Sequence, residues 1–103
     1  MRELALGDVR LNPEDAMLSC TNNGKSVRLA AKEYQLMELF LRNPHQLLPK
    51  ENILERVWGF DNEAEYNNLP VYLTFLRRKL AFVGAHVEIR ASRGLGYMLE
   101  ETP

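Results

Sequence analysis

The run Leu69-Pro70-Val71-Tyr72-Leu73-Thr74-Phe75-Leu76-Arg77-Arg78-Lys79-Leu80-Ala81-Phe82 decides the fold. Leu69, Leu73, Leu76 and Leu80 recur at the three- and four-residue intervals that line one side of a helix. At about 100° per residue, the opposite side carries Asn67, Val71, Thr74, Phe75 and Arg78. One face is therefore core and the other presents apolar, polar and basic groups together. Pro70 has no backbone N–H, and its ring clashes with the carbonyl four residues back, so only the first turn tolerates it. Asn67 and Asn68 are both good caps. The helix is expected to start no earlier than an N-cap at Asn67, with Pro70 in the third helical position and Gly84 as the stop.

Downstream, residues 87–90 and 97–99 read as two strands joined by the glycine-rich loop 91–96, with Arg93 at its tip. Upstream, residues 50–58 form a short helix stopped by Gly59, and residues 31–43 a helix with a wide apolar face closed by Pro44. The first 30 residues alternate short apolar runs (3–6, 9–11, 16–20 and 25–29) with turns at Gly7-Asp8, residues 12–15 and Asn22-Asn23-Gly24. The order is ββββ-ααα-ββ. It predicts an α+β fold: a winged helix-turn-helix with an N-terminal four-stranded antiparallel sheet (1–29), three helices (30–83) and a C-terminal β-hairpin wing (84–101), all in one domain over 1–103. Such folds set the last helix in a major groove and the hairpin against the neighbouring backbone or minor groove.

The chain's 103 residues suffice for one core and exclude a barrel or a two-domain enzyme. No stretch approaches about 20 apolar residues, so no membrane segment is expected. A single cysteine, Cys20, excludes an internal disulfide and fits a cytoplasmic home. The net charge of −1 conceals a gradient. Residues 66–99 hold Arg77, Arg78, Lys79, Arg90 and Arg93 against Glu88 alone, while the acids gather before them and in Glu100 and Glu101. Taken alone, that basic region is better explained by a solvated charged face than by a polyanion site.

Catalysis is excluded on inventory. His45 and His86 stand isolated in sequence, with no Cys or carboxylate at metal spacing. Ser19, Ser26 and Ser92 have no base in a recognisable arrangement. Gly94-Leu95-Gly96 follows a strand but opens no helix, so it is no phosphate loop. No cofactor is expected.

Four segments resemble the OmpR/PhoB-type effector domain, the DNA-binding half of many bacterial two-component response regulators. They are Ala30-Ala31-Lys32-Glu33-Tyr34-Gln35-Leu36-Met37, Leu54-Glu55-Arg56-Val57-Trp58-Gly59, Leu76-Arg77-Arg78-Lys79-Leu80 and Arg93-Gly94-Leu95-Gly96-Tyr97. Their order and spacing agree with the family over almost the whole chain. The resemblance implies major-groove reading by the third helix through Asn67, Val71, Tyr72, Thr74, Phe75, Arg77 and Arg78. It implies minor-groove contact by Arg93, phosphate proximity for Trp58 and Tyr97, and an RNA polymerase contact in the loop holding Phe60, Asp61, Asn62, Glu63 and Glu65. The implied partners are double-stranded DNA with direct-repeat half-sites, RNA polymerase, and a receiver domain in the same full-length chain.

The sequence also departs from that family. Asn67 and Phe75 stand where relatives often carry Arg, Pro70 where they carry Asp and Tyr72 where they carry His, so this helix is poorer in cations. Ala30 and Pro49 replace the usual Thr and Ser caps of the first two helices, leaving Glu33 as the remaining half of a capping box.

Residue by residue, alternatives stay open. Arg78 reaches a phosphate or a guanine edge, or is a solvated arginine favoured by the helix dipole. Arg77, at the edge of the face, suits phosphate. Val71 and Phe75 meet thymine methyls, pack against the wing, or form a protein interface. Thr74 bonds a base or bonds back to its own helix. Aromatics such as Trp58 and Tyr97 are more often core residues, mostly buried with only the polar tip free. The missing arginines and the net charge keep a second function in play: a winged-helix protein-interaction module with weak or lost DNA affinity.

Overall fold

The computed structural model describes residues 3–59 and 68–103. Its order is β1 (Leu4–Leu6), β2 (Val9–Asn12), β3 (Met17–Cys20), β4 (Ser26–Arg28), α1 (Ala31–Arg42), α2 (Lys50–Trp58), α3 (Leu69–Phe82), β5 (Val87–Ser92) and β6 (Gly96–Glu101). This is the expected winged helix. The first four strands form an antiparallel sheet in chain order, and β5 pairs with β6 as the wing.

Alternation sets the sheet's inner face. Val9, Leu11, Leu18 and Cys20 are buried, and the register pairs Val9 with Cys20 and Leu11 with Leu18. That face, α1 and α3 enclose the core. Leu36, Met37 and Phe40 of α1, Ile53 of α2 and the stripe Leu69, Leu73, Leu76 and Leu80 of α3 are all buried in it. Ile89 and Leu99, paired across the wing, close one end.

The caps follow the sequence. Ala30 has no capping oxygen, yet its N–H donates to Glu33 Oε1 at 2.7 Å, so half of the capping box survives. Pro49 caps α2 without a side-chain hydrogen bond. Within the described residues α3 begins one residue later than expected, with Asn68 at the N-cap and Pro70 in the second helical position. There the missing N–H is one that no helical carbonyl would have received. The end of α3 is a Schellman turn: Gly84, at φ +73°, donates to the Ala81 carbonyl and Ala85 to the Leu80 carbonyl, each at 3.0 Å.

The wing is longer than the sequence suggests. Pairing continues through Ala91–Tyr97 and Ser92–Gly96, so the tip shrinks to residues 93–95. The other edge of β6 is also occupied. Leu48 exchanges two backbone hydrogen bonds with Tyr97, at 2.8 and 3.0 Å, and His45 N–H donates to the Leu99 carbonyl at 2.9 Å. A Cβ on Gly96 would collide with the Leu48 carbonyl, which explains the glycine.

Candidate nucleic-acid interface

With its leucine stripe buried, α3 turns Val71, Thr74, Phe75, Arg77 and Arg78 outward. Val71 is 47% exposed and Phe75 42%, large values for apolar side chains one helical turn apart. Phe75 leans edge-on against Tyr72 at 6.2 Å between ring centroids, and Tyr72 tilts against Trp58 at 5.4 Å. The three aromatics descend from the surface to the core, since Tyr72 is half-buried and Trp58 buried. They join α2 to α3. Lys32 secures the same joint from α1, donating to the Val57 carbonyl at 3.0 Å with its ammonium 5.6 Å from the Trp58 ring centroid.

The cluster Arg77-Arg78-Lys79 separates into three roles. Lys79 faces inward, with Nζ 2.6 Å from Glu33 Oε1 and 3.0 Å from the Arg28 carbonyl. Arg77 lays its guanidinium on the wing, its Nε and Nη2 donating to the Ile89 carbonyl at 3.1 and 2.7 Å. Arg78 is exposed and makes no hydrogen bond or ion pair among the described residues. Thr74 Oγ1 donates to the Pro70 carbonyl at 2.9 Å, which spends its hydrogen and leaves its lone pairs outward.

Arg93 opens the wing turn, exposed, followed by Gly94 at φ +75°. Leu95 beside it is 63% exposed. Arg90 bridges to Glu100 across the hairpin at 3.3 Å, while Arg93 has no such partner among the described residues. Tyr97 is half-buried and is fixed through its backbone to Leu48. Asn67, and the loop residues Phe60, Asp61, Asn62, Glu63 and Glu65, lie outside the described residues.

One cluster had no signal in the sequence. His86, isolated in the chain, meets Asp8 through its ring Nδ1 at 2.8 Å and its backbone N–H at 2.9 Å. Asn22 Nδ2 donates to the same carboxylate at 2.8 Å, and Cys20 Sγ lies 3.4 Å from it. Burial pushes the Asp8 carboxyl up, but the hydrogen bonds from His86, backed by Cys20 and the imidazole's charge, outweigh it and hold it at about 2. Among the described residues no group of histidine, cysteine and carboxylates is arranged to hold a metal ion. No described helix is long and apolar enough to cross a membrane.

Comparison with known proteins agrees with this architecture. The family described as "Transcriptional regulatory protein, C terminal" matches residues 24–99. The transcriptional regulatory protein DltR of Streptococcus agalactiae serotype III (strain NEM316) is 44% identical over 99 residues, which cover 96% of this chain and 43% of that protein. The response regulator MprA of Mycobacterium sp. (strain KMS) is 38% identical over 96 residues, covering 93% of this chain and 41% of that protein. The chain thus spans well under half the length of these relatives. Among solved structures, the C-terminal domain of the nisin resistance regulator NsrR superposes with a TM-score of 0.80 at 32% identity, covering 98% of this chain and all of that one. The chain therefore belongs to the OmpR/PhoB-type family of transcriptional-regulator C-terminal domains, a DNA-binding family and not an enzymatic one.

Proposed function

We propose that this chain is the sequence-specific, double-stranded-DNA-binding output domain of a two-component response regulator. In this reading α3 enters the major groove and Arg93 the adjacent minor groove. One observation carries it: Val71, Thr74, Phe75 and Arg78 lie together on the side of α3 opposite the buried leucines. This is the side a recognition helix gives to base edges. Val71 and Phe75 suit thymine methyls, and Arg78 suits a guanine edge or a phosphate. Arg93, held out on a glycine turn, suits the negative potential of a narrow A·T-rich minor groove. Arg77, occupied by the Ile89 carbonyl, keeps Nη1 for a phosphate. Buried Trp58 and half-buried Tyr97 support the interface from behind. Asn67, two positions before Leu69 in the sequence, belongs to the same proposed contact set.

The finer partners belong to the same proposal. The DNA carries direct-repeat half-sites, and a receiver domain in the same full-length chain controls binding. The acidic loop with Phe60, Asp61, Asn62, Glu63 and Glu65 meets RNA polymerase, since three carboxylates would repel phosphate. The setting is cytoplasmic.

The test is a polarisation titration of the chain against sequences selected from a random duplex pool, at several salt concentrations. Binding should weaken with salt at a slope near −0.9 per phosphate neutralised. The internal use of Arg77 and Lys79 favours a second reading, a protein-interaction module. Failure to enrich any sequence, with no salt-dependent binding, would select that reading instead.

A further inference from the structure

The connector between α3 and the wing is gripped by turns of the N-terminal sheet. Residues 83–86 make up this connector, and three of them are held from outside. Asn23 Nδ2 donates to the Val83 carbonyl at 2.9 Å. Cys20 Sγ lies 3.8 Å from the Gly84 carbonyl. The Asp8 carboxylate takes the His86 N–H at 2.9 Å and the His86 ring at 2.8 Å. The approach is close: a Cβ on Gly84 would sit 2.8 Å from Asn23 Nδ2, and one on Gly7 would sit 3.2 Å from Glu101 and 3.4 Å from Val87. The turn holding Gly7 and Asp8 thus abuts the base of the wing, where Val87 and Glu101 pair across the hairpin.

That grip acts where recognition geometry is set. Gly84 supplies a left-handed residue between the helix and the hairpin, a natural pivot. Arg77 ties β5 of the wing to α3 at the Ile89 carbonyl, while His45 and Leu48 hold the other edge of β6. Those ties act along the strands; the Asp8–His86 tie acts where the hairpin leaves the connector from α3. A buried carboxylate suits this task, because hydrogen bonds to a charged acceptor are stronger than neutral ones.

Resting on the DNA-binding reading above, we infer that Asp8 is a positioning residue for DNA recognition. Through His86 it fixes the departure angle of the wing from α3, and so the spacing at which Arg93 and the outer face of α3 meet adjacent grooves. Asp8 touches no DNA itself. The N-terminal sheet, which supplies none of the base-reading candidates, is on this view part of the reading device.

Two measurements on the 103-residue chain test this. The first needs no DNA: residual dipolar couplings of backbone amides in α3 and the wing. In the unmodified chain one alignment tensor fits both elements; in Asp8→Asn the wing departs from the tensor of α3. The second is a double-mutant cycle on an A·T-rich duplex. Arg93→Ala should weaken binding about tenfold in the unmodified background and less than about threefold in Asp8→Asn, because a misplaced wing has less to lose. A purely structural loss would leave the Arg93 increment intact in chains that remain folded. A common tensor retained in Asp8→Asn, or an equal Arg93 increment in both backgrounds, overturns the proposal. If Asp8→Asn does not fold, Asp8→Glu, which keeps the charge but displaces it from the His86 N–H, carries the same two measurements. If the unmodified chain binds no duplex, the DNA-binding reading fails, and the dipolar couplings alone decide whether Asp8 sets the wing angle.

Discussion

Glu33 Oε1 accepts two hydrogen bonds at once, one from the Lys79 ammonium at 2.6 Å and one from the Ala30 N–H at 2.7 Å. A single buried carboxylate thereby caps α1 and anchors α3 to it. The Glu33 side chain is 6% exposed and Lys79 28%, so the pair is largely withdrawn from solvent. Lys79 looks like part of a cationic stripe in the sequence, but its charge is spent inside the domain.

Lys79→Met should therefore cost stability and not DNA affinity. Losing a charge-assisted hydrogen bond to a buried carboxylate costs about 1–3 kcal/mol. Urea unfolding should show that loss, while the salt slope of DNA binding stays unchanged. A slope lowered by about 1 would mean that Lys79 neutralises a phosphate.

Arg77 and Arg78 should behave as opposites. Arg78→Ala should weaken DNA binding by roughly tenfold, about 1.4 kcal/mol, with little change in melting temperature. Arg77→Ala should lower the melting temperature, because its fork holds the Ile89 carbonyl through two nitrogens. Arg77→Lys should rescue it poorly, since a lysine offers one point charge in place of a planar fork. Equal effects of Arg77→Ala and Arg78→Ala on both readouts would contradict the division.

Gly96→Ala should be among the most damaging single changes. The new methyl would meet the Leu48 carbonyl, which is backbone and cannot swing away. A loss above about 4 kcal/mol belongs to this class of steric conflict. Hydrogen exchange should show the Leu48 N–H, bonded to the Tyr97 carbonyl at 2.8 Å, losing its protection first.

Much of this architecture was legible in advance, and particular residues show why. The limits of α2 and the end of α3 follow from Pro49, Gly59 and Gly84, whose chemistry is local, whereas Asn67 and Asn68 are equally good caps and leave the start of α3 undecided by one residue. The leucine stripe of α3 is periodic, so it predicts its own burial. The wing's extra pairs at Ala91 and Ser92 were missed because their side chains have no strand preference; the backbone ladder continues there regardless. Polar pairs between distant residues leave no periodic trace. Asp8 and His86 are 78 positions apart, and Lys79 and Glu33 are 46 apart. The second glycine of Arg93-Gly94-Leu95-Gly96 was the one available hint of Leu48, since the turn already had its glycine at 94.

Stability should fall in strong acid with Asp8 as a main contributor. Its folded carboxyl sits at about 2 against 3.8 for the ordinary group. A depressed folded value stabilises the native state fully above the unfolded value, and that stability is lost as pH falls from about 4 through about 2. The contribution is at most about 2–3 kcal/mol, and less because solvent reaches the exposed His86 ring. Asp8→Asn should flatten this part of the stability profile measured by urea unfolding. An unchanged slope between pH 4 and pH 2 would assign the acid sensitivity to other groups.

The apolar half of the recognition face makes a prediction that needs no change in DNA sequence. Val71 and Phe75 stand outward with no charge to satisfy, and the major-groove group they fit is the thymine 5-methyl. Replacing thymine by deoxyuridine removes that methyl and nothing else. Burying one such carbon is worth about 0.8 kcal/mol, or roughly fourfold in affinity. The unmodified chain should bind its selected duplex roughly fourfold more tightly than the uracil version at each contacted position. Phe75→Ala or Val71→Ala should abolish the difference at one position and leave the others. Thr74→Val should leave it intact, because the Thr74 hydroxyl, its hydrogen given to Pro70, can only accept from an adenine or cytosine amine. Equal affinity for thymine and uracil duplexes in the unmodified chain would remove Val71 and Phe75 from base reading and return them to the protein-interface alternative.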